Sequence, residues 1–362
     1  MRVWQIDPAA TAVQQQNDAV ARPIGLKQSA ETGGKPLLCT AWQGDGSALY
    51  FAGCAGKALK WDLNAGGGAG APSQVAQHAA PISHMAWIPG HNVLCTAGWD
   101  NVLQYWDCRQ PNPVHRFDLG APCVALGHRD AQARGGGHLL VAAAADRPDV
   151  ADGATGAAGQ PAKRPVFVFD LRNPTAPPIS KGSPLSHLTR CIEVFADGKG
   201  YLLGSIEGRV AVEYEPEQYV AGNQGQVKRS FTFKCHRIDR KPAAGAAQPT
   251  GSSRPQDVYP VNAMAVHPGT GTFATTGADG RVCFWDKENK SSLNKLGDVS
   301  TGALVPVTAV SYSGDGALLA FASGYDWHAG PPAAGEMQTK YPTRVMVRQT
   351  QEKDAQPKVA PR

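Results

Sequence analysis

The chain has 362 residues and carries 35 Lys and Arg against 30 Asp and Glu, so its net charge is a mild +5, which permits an acidic or nucleic-acid partner without requiring one. Its longest apolar stretch is far below the ~20 residues of a membrane helix, and no charged segment with an apolar core opens the chain, so neither membrane insertion nor secretion is predicted. Eight cysteines without a C-x-x-C pair indicate reduced thiols in an intracellular protein.

In chain order, the opening fragment MRVWQI resembles one isolated strand, and a repeat follows it. Three segments share an apolar alternation, a tight turn, a second apolar run, another turn and a strand that ends in Trp-Asp. These strands end at Trp61-Asp62, Trp106-Asp107 and Trp285-Asp286. Fainter copies begin at Cys123, Cys191 and Val307. The first two Trp-Asp pairs are one period of roughly 45 residues apart, which is typical of WD40 blades.

Alternation of period two with Gly-Asp turns predicts antiparallel strands, and one strand set per repeat predicts radial blades. The predicted fold is therefore an all-β, WD40-type β-propeller over residues 1–350. We expect MRVWQI to be the third strand of an incomplete first blade and interpret the sequence as N-terminally truncated, because such rings close with strands from both termini. Low-complexity loop insertions are predicted at 130–137, 147–164 and 240–256, and a disordered tail at 351–362.

Two repeats, the third and the sixth if the opening fragment is the first, carry a His, a Thr, an Asp and a Trp at matched offsets. The two sets are His78, Thr96, Asp100 and Trp106, and His236, Thr275, Asp279 and Trp285. We predict that each set shares a buried polar network, in which the Asp accepts from the His. A Thr-His-Asp hydrolase is the alternative, and it is disfavoured because the set recurs and the blade explains each member.

The sequence matches no other catalytic motif well. Residues 269–274 fit G-x-G-x-x-A loosely, but they precede a strand, whereas a dinucleotide site needs the glycines after a strand and at the start of a helix. No P-loop, nucleophile elbow or metal-spaced Cys/His cluster is present in the sequence. We therefore predict no catalytic residues, no cofactor and no metal, and a docking platform instead of an enzyme.

Four segments resemble the nuclear-pore mRNA export factors of the Rae/Gle family, and the resemblance extends over nearly the whole chain. They are GSIEGRVAVEY (204–214), FTFKCHR (231–237), QDVYPVNAMAVHP (256–268) and GRVCFWDK (280–287). A near relative of that family is the mitotic-checkpoint propeller that carries Bub-type kinases. The run at 99–114, FTFK and the Tyr-Asp-Trp at 325–327 favour the export factor, whereas VAVEY and YPVNA favour the checkpoint protein.

The resemblance implies a seven-bladed propeller, found in the nucleus, at the nuclear pore complex of the nuclear envelope and in the cytoplasm. It implies that the platform binds a GLEBS-type hairpin of an FG nucleoporin and supports mRNA export. At the matching positions, Arg209 and Arg237 are expected to pair with glutamates of that hairpin, and Phe233, Lys234, Trp285, Asp286 and Lys287 lie on the neighbouring surface. Contact with single-stranded RNA is expected through Lys234, Lys287 and Lys290.

Two features temper this assignment. Ser292 stands where the family tends to have another basic residue, so the groove is expected to be less positive. Lys57 and Arg281 occupy the same repeat position as Arg209, so a generic solvated blade position is the alternative interpretation of that arginine.

Two other functions stay open at the level of the sequence. One is a spindle-assembly-checkpoint adaptor that brings Bub-type kinases to kinetochores on the mitotic spindle. The other is a substrate adaptor of a ubiquitin ligase, with ubiquitin among its partners, which would be favoured by a helical ligase-binding extension.

Overall fold

A computed structural model describes residues 2–6, 23–29, 34–64, 71–130, 138–150, 162–215, 218–221, 226–240, 255–297, 305–328, 330–331 and 339–357. Most of the three predicted loop insertions and residues 358–362 of the predicted tail lie outside the described residues. Those predictions therefore stay predictions.

The N-terminal strands β1 (Arg2–Ile6) and β2 (Pro23–Ser29) pair antiparallel in a two-stranded sheet. Three four-stranded sheets follow, which we label blades A, B and C. Blade A contains β3 (Leu37–Trp42), β4 (Ala48–Gly53), β5 (Lys57–Asp62) and β6 (Ser73–Gln77). Blade B contains β7 (Ile82–Ile88), β8 (Val93–Gly98), β9 (Val102–Trp106) and β10 (His115–Asp118). Blade C contains β11 (Cys123–Asp130), β12 (His138–Ala144), β13 (Pro165–Asp170) and β14 (Ile179–Gly182).

Blades D, E and F complete the described sheets. Blade D contains β15 (Thr189–Val194), β16 (Gly200–Ser205), β17 (Arg209–Tyr214) and, as its outer strand, β20 (Phe231–Lys234). The hairpin β18 (Gln218–Ala221) and β19 (Gln226–Arg229) is inserted before β20, and the hairpin β21 (Arg237–Asp239) and β22 (Gln256–Val258) follows it. Blade E contains β23 (Val261–Val266), β24 (Phe273–Gly277), β25 (Val282–Asp286) and β26 (Ser291–Leu296). Blade F contains β27 (Val307–Tyr312), β28 (Leu318–Ser323) and β29 (Arg344–Gln349).

The core lies between the blades. From β3 to β27, the first strand of each blade contacts the first strand of the next, so the sheets stack radially. The second strands β16 and β24 are buried at every residue, because a neighbouring blade covers each face, and β4 of blade A is buried at every residue as well. Between blades B and C, for example, Leu103 packs in one cluster with Leu140 and Phe169. The structure thus confirms the predicted all-β propeller.

The described residues form six blades, whereas the family resemblance implied seven. The N-terminal residues that the structure describes supply only the strands β1 and β2, paired with each other, and a further blade of this type needs three or four paired strands. Seven blades are therefore not confirmed. Residues 2–6 of MRVWQI form a strand, and its assignment as the third strand of a blade stays a prediction.

A short helix lies at the start of the predicted disordered tail. This helix, α1 (Glu352–Ala355), is ordered because both neighbouring blades bind it. Arg348 Nη2 of blade F lies 2.6 Å from Asp354 Oδ2, and Asn294 Nδ2 of blade E donates to Asp354 Oδ1 at 2.6 Å. Thr272 Oγ1 donates to the Ala355 carbonyl at 2.9 Å. In the part of the chain that the structure describes, no helix is long and apolar enough to span a bilayer.

The strand directions define two faces of the propeller. In each blade the connection from the second to the third strand lies on one face, which we call the upper face, and the connection from the first to the second strand lies on the lower face. Residues that begin a third strand, such as Arg209, are therefore on the upper face, and residues that end it, such as Asp286, are on the lower side.

Candidate partner-binding and nucleic-acid interface

The first predicted residue set forms one hydrogen-bonded chain across blade B. His78 Nδ1 lies 3.0 Å from both carboxylate oxygens of Asp100, and His78 Nε2 lies 2.8 Å from Thr96 Oγ1. The Trp106 indole donates to the same hydroxyl at 2.9 Å. Because an indole N–H can only donate, the Thr hydroxyl accepts from it and donates its own proton to Nε2. The hydrogen-bond network therefore assigns the remaining ring proton to Nδ1, which donates to Asp100.

The second set repeats this chain across blade E. His236 Nδ1 lies 2.8 Å from Asp279 Oδ1, His236 Nε2 lies 2.8 Å from Thr275 Oγ1, and the Trp285 indole donates to that hydroxyl at 3.0 Å. The hydroxyls of Thr96 and Thr275 belong to fully buried residues. Neither set therefore presents an accessible nucleophile to a substrate.

A glycine two residues before each aspartate makes room for the His–Asp contact. A Cβ on Gly277 would lie 2.4 Å from His236 Nδ1 and 2.7 Å from Asp279 Oδ1, and a Cβ on Gly98 would lie 2.8 Å from Asp100 Oδ1. Such separations are too short for real side-chain carbons, so only glycine fits. The shared spacing T-x-G-x-D was the sequence signal for this feature.

An aromatic cavity of about 420 Å³ lies between blades D and E, and we call it the D–E cleft. Six predicted site residues line it: Phe233, Lys234, Trp285, Asp286, Lys287 and Lys290. Along β20, Phe231 and Phe233 are half-buried while Thr232 and Lys234 are exposed, because an edge strand turns alternate side chains toward its neighbour. The Phe233 ring centroid lies 4.7 Å from that of Trp285 and 6.3 Å from that of Phe273. The cleft therefore has an aromatic wall.

The cations of the cleft differ in exposure. Lys234 and Lys290 are exposed, and Lys290 Nζ lies 4.5 Å from the centroid of the Phe231 ring. Lys287 is buried; its ammonium pairs with Glu288 and lies 4.8 Å from the centroid of the Phe195 ring. Lys234 and Lys290 can thus meet an anion directly, whereas the charge of Lys287 already has a protein partner.

Asp286 shapes the turn that carries these lysines. Its Oδ1 accepts from the backbone N–H groups of Glu288 at 2.9 Å and Asn289 at 3.3 Å, and its Oδ2 accepts from Asn289 Nδ2 at 2.6 Å. This side-chain-to-backbone turn leads into Lys290, whose φ of 52° is left-handed. Asp286 therefore positions the cleft, and with three donors already bound it is poorly placed to receive a ligand.

Arg209 and Arg237 are brought together by Glu207. Arg209 Nε lies 3.1 Å from Glu207 Oε1, and Arg237 Nη2 donates to the Glu207 carbonyl at 2.9 Å. The side chain of Arg209 is 33% exposed. An ion pair at such exposure contributes little stability, so a carboxylate of a partner can replace Glu207 at small cost.

The predicted surface is thus divided into two parts. Arg209 and Arg237 do not line the D–E cleft. Arg209 is in register with Lys234 at the upper end of β20, while Lys287 and Lys290 follow β25 on the lower side. Lys234 connects the arginine pair to the cleft.

Sequence reasoning missed the apolar part of this surface and the extent of its charge. Ile206 and Val258 are 39% and 42% exposed, and Val258 is in register with Arg237. A basic residue starts or immediately precedes the third strand in five of the six described blades: Lys57, Arg164, Arg209, Arg281 and Arg344. An isoleucine at the tip of the polar turn Ser-Ile-Glu-Gly-Arg was the available signal for the apolar part. The upper face therefore has a basic rim.

The lower mouth of the central channel is a second cavity, of about 740 Å³, to which all six described blades contribute. It contains Trp42, Arg129 and Glu193. Burial raises the pKa of Glu193 to about 7, against the opposing effects of Arg129 and a hydrogen bond from the Val266 backbone. Among the described residues, no group of three His, Cys, Asp or Glu could hold a metal ion.

Six stacked blades, two of them crossed by a His-Thr-Asp-Trp chain, define a WD40 propeller. The family model of the WD domain, G-beta repeat, matches residues 72–107 and 253–286. Each matched segment ends just after the tryptophan of one His-Thr-Asp-Trp set. The chain is similar to "Protein Rae1" of Drosophila melanogaster, with 32% identity over 91% of this chain and 79% of the relative. It is 36% identical to "Protein RAE1" of Arabidopsis thaliana over 90% of this chain and 78% of that one. The "mRNA export factor" of Xenopus tropicalis is 33% identical over 90% and 76%. The chain belongs to this Rae1/mRNA export factor family, which confirms the resemblance seen in the sequence.

Proposed function

We propose that the chain is a non-catalytic scaffold for the export of mRNA from the nucleus. In this proposal its upper face binds an acidic GLEBS-type hairpin of an FG nucleoporin at the nuclear pore, and its D–E cleft binds single-stranded RNA. The name of the Xenopus tropicalis relative, "mRNA export factor", supports the process. Passage between the nucleus, the nuclear envelope and the cytoplasm follows from that role.

The observation that carries the hairpin site is the arginine pair around Glu207. A planar guanidinium recognises a carboxylate with two parallel hydrogen bonds, and a guanidinium that is already oriented loses little entropy on binding. Ile206 and Val258 lie beside the pair and are partly exposed. A partner that fits has glutamates for the arginines and apolar side chains for these two residues.

Calorimetry with a GLEBS peptide tests the site. Arg209→Glu and Arg237→Glu place like charges opposite the acidic hairpin, and each is expected to cost roughly 2–5 kcal/mol of binding free energy. Lys57→Glu is the matched control, because Lys57 has the same strand position on blade A. Unchanged affinity in both arginine variants overturns the site.

The RNA site rests on the aromatic wall and the two exposed cations of the cleft. A base stacked on an aromatic side chain contributes about 1–3 kcal/mol, and each neutralised phosphate of a single strand adds a slope of about −0.7 to the salt dependence. Lys234 and Lys290 are exposed next to Phe231 and Phe233. We infer that these two lysines contact phosphates and that Lys287 supports the cleft through Glu288 and Phe195.

The salt dependence of oligonucleotide binding tests the RNA site. Lys290→Gln is expected to make the slope of RNA affinity against salt shallower by about 0.7 for each phosphate that the variant no longer neutralises. Ser292→Lys is expected to make that slope steeper, because Ser292 is exposed on β26 next to the turn and a lysine there adds a cation. Lys57→Gln is the control on a distant blade. A flat salt dependence in the wild-type protein contradicts RNA binding.

The checkpoint alternative uses the same arginine pair. A hairpin peptide from a Bub-type kinase, added in competition with the nucleoporin peptide, measures which partner the upper face prefers. Preference for the kinase peptide would replace the nucleoporin in this proposal.

A further inference from the structure

A strained tryptophan stands out on the upper face of blade F. Trp327 lies in the connection between β28 and β29, is 60% exposed, and has a φ of 62°. The left-handed region is unfavourable for a bulky side chain and persists only where the surroundings fix it. Such outliers cluster at functional sites, so the conformation calls for a function.

The surroundings do fix this loop. The Tyr325 hydroxyl donates to the Gly330 carbonyl at 2.7 Å, and the buried Asp326 accepts from His328 Nδ1 at 2.5 Å. Arg190 Nη2 lies 3.4 Å from the Asp326 carbonyl, at the limit of a hydrogen bond. The two residues before Trp327 are buried at 8% and 6% exposure, so the chain anchors them inward and leaves the indole outward.

The contact with Arg190 places this loop near the arginine pair. Arg190 is the second residue of the first strand of blade D, and blade E lies between blades D and F, so this contact joins two blades that are not neighbours. The Ile206 N–H donates to the Leu188 carbonyl at 3.2 Å, which puts the turn that carries Glu207 and Arg209 beside Arg190. Trp327 and the arginine pair therefore belong to one surface.

Charge and apolar area on this surface select an acidic partner with an apolar side chain. The rim carries the basic residues that precede or start the third strands, of which Arg164 pairs with Asp146 at 3.1 Å, while the carboxylates of Asp279 and Asp326 are buried. A positive rim attracts an acidic partner, and tryptophan is one of the side chains enriched among the residues that dominate the affinity of an interface.

We propose that Trp327 is the apolar anchor of the hairpin surface, on which the acidic partner packs an aliphatic or aromatic side chain while its glutamates meet Arg209 and Arg237. The inference rests on the proposed function, since its occupant is the same acidic hairpin. It adds that charge pairing alone does not hold the partner.

The test compares the affinity of the GLEBS peptide and the melting temperature for Trp327→Gly, Trp327→Ala and Trp42→Ala. Glycine adopts a φ of 62° freely, so Trp327→Gly is expected to keep or raise the melting temperature while it weakens peptide binding at least tenfold. Trp327→Ala reports the loss of the ring with the strained backbone kept. Trp42 is 50% exposed at the lower mouth of the channel, so Trp42→Ala is the control and should leave affinity unchanged.

The outcomes separate this inference from the proposed function. If the wild-type protein binds the peptide and the arginine variants lose it while Trp327→Gly keeps it, the anchor is overturned and the proposed function stands. If the wild-type protein does not bind the peptide, the proposed function fails and the anchor fails with it. If Trp327→Gly loses affinity for single-stranded RNA and keeps the peptide, the indole stacks on bases and the hairpin anchor is wrong.

Discussion

Blades B and E contain the same chain of four side chains but expose it differently. In blade B, Asp100 is 13% exposed and also accepts from the Ala79 backbone N–H at 3.1 Å, and Trp106 is buried. In blade E, His236 and Asp279 have fully buried side chains, and Trp285 is only partly buried because one side of its ring lines the D–E cleft.

One repeated motif can therefore serve two purposes. Within the blade, the hydrogen bond from the indole to the threonine hydroxyl fixes the position of the tryptophan. What lies outside the blade then decides the role of the ring. The neighbours of blade B cover Trp106 and make it core, whereas Phe233 of blade D covers Trp285 only in part and leaves a wall of a binding cleft.

The largest expected effect comes from removal of the histidine. His236→Ala leaves the fully buried Asp279 without its main partner and is expected to lower the free energy of unfolding by about 3–5 kcal/mol. His78→Ala is expected to cost about 1–3 kcal/mol, because Asp100 keeps the Ala79 N–H and some water. Urea denaturation of both variants measures the difference. Equal losses of unfolding free energy in the two variants would contradict the idea that the burial of the aspartate sets the cost.

A smaller effect concerns pH, since blade B contains His84 and Glu193 of blade D contacts blade E, and the pKa of each of these two residues is shifted. Glu193 binds the Val266 N–H of blade E and its pKa is raised to about 7, so the native state binds more protons than the unfolded state between about pH 4.5 and 7. Stability therefore falls as pH rises through that window. Burial lowers the pKa of His84 in blade B to about 4, so its contribution makes stability rise between about pH 4 and 6.5.

Single variants should expose these opposing slopes. Glu193→Gln is expected to be about 1–2 kcal/mol more stable than the wild type above pH 7, a value reduced because Glu193 is only partly buried and solvent screens its charge, and to gain stability between pH 4.5 and 6.5. His84→Gln should retain only the falling slope. Urea midpoints at pH 4.5, 5.5, 6.5 and 7.5 give the measurement, and parallel curves for both variants would show that neither group titrates as stated.

The smallest expected effect separates the two tryptophans. Trp106→Phe and Trp285→Phe each remove an indole N–H donor to a buried threonine and should each lower the free energy of unfolding by about 1–2 kcal/mol. Only Trp285→Phe should also weaken RNA binding, by roughly 0.5–1 kcal/mol, because a smaller ring remains in the cleft. Filter binding at fixed salt checks this, and an equal loss of RNA affinity in both variants would remove the distinction between core and cleft.

A contact can be predicted from the sequence when both residues belong to the same blade, and it cannot when they belong to different blades. The His-Thr-Asp-Trp sets could be grouped because strands of one blade lie next to each other in the chain, so spacing encodes contact. The burial of Lys287 could not be foreseen, since it depends on Phe195 of another blade. Likewise, the burial and the raised pKa of Glu193 could not be predicted, since both depend on residues of other blades.

The same reasoning explains the divided surface. Arg209 and Lys290 belong to neighbouring blades and looked adjacent, but strand direction puts one at the start and the other beyond the end of a third strand. The number of blades and the exposure of Trp327 are also properties of the assembled ring. Spacing within a repeat carries no information about either.

The helix α1 has a consequence for how the last two blades open. Blade F has three strands among the described residues, and Asp354 binds Arg348 of its outer strand and Asn294 of the outer strand of blade E at the same time. We therefore expect the amides of β26 and β29 to exchange hydrogen as one cooperative unit. Slow exchange in blade F then reports the docking of a four-residue helix as much as the strength of its own sheet.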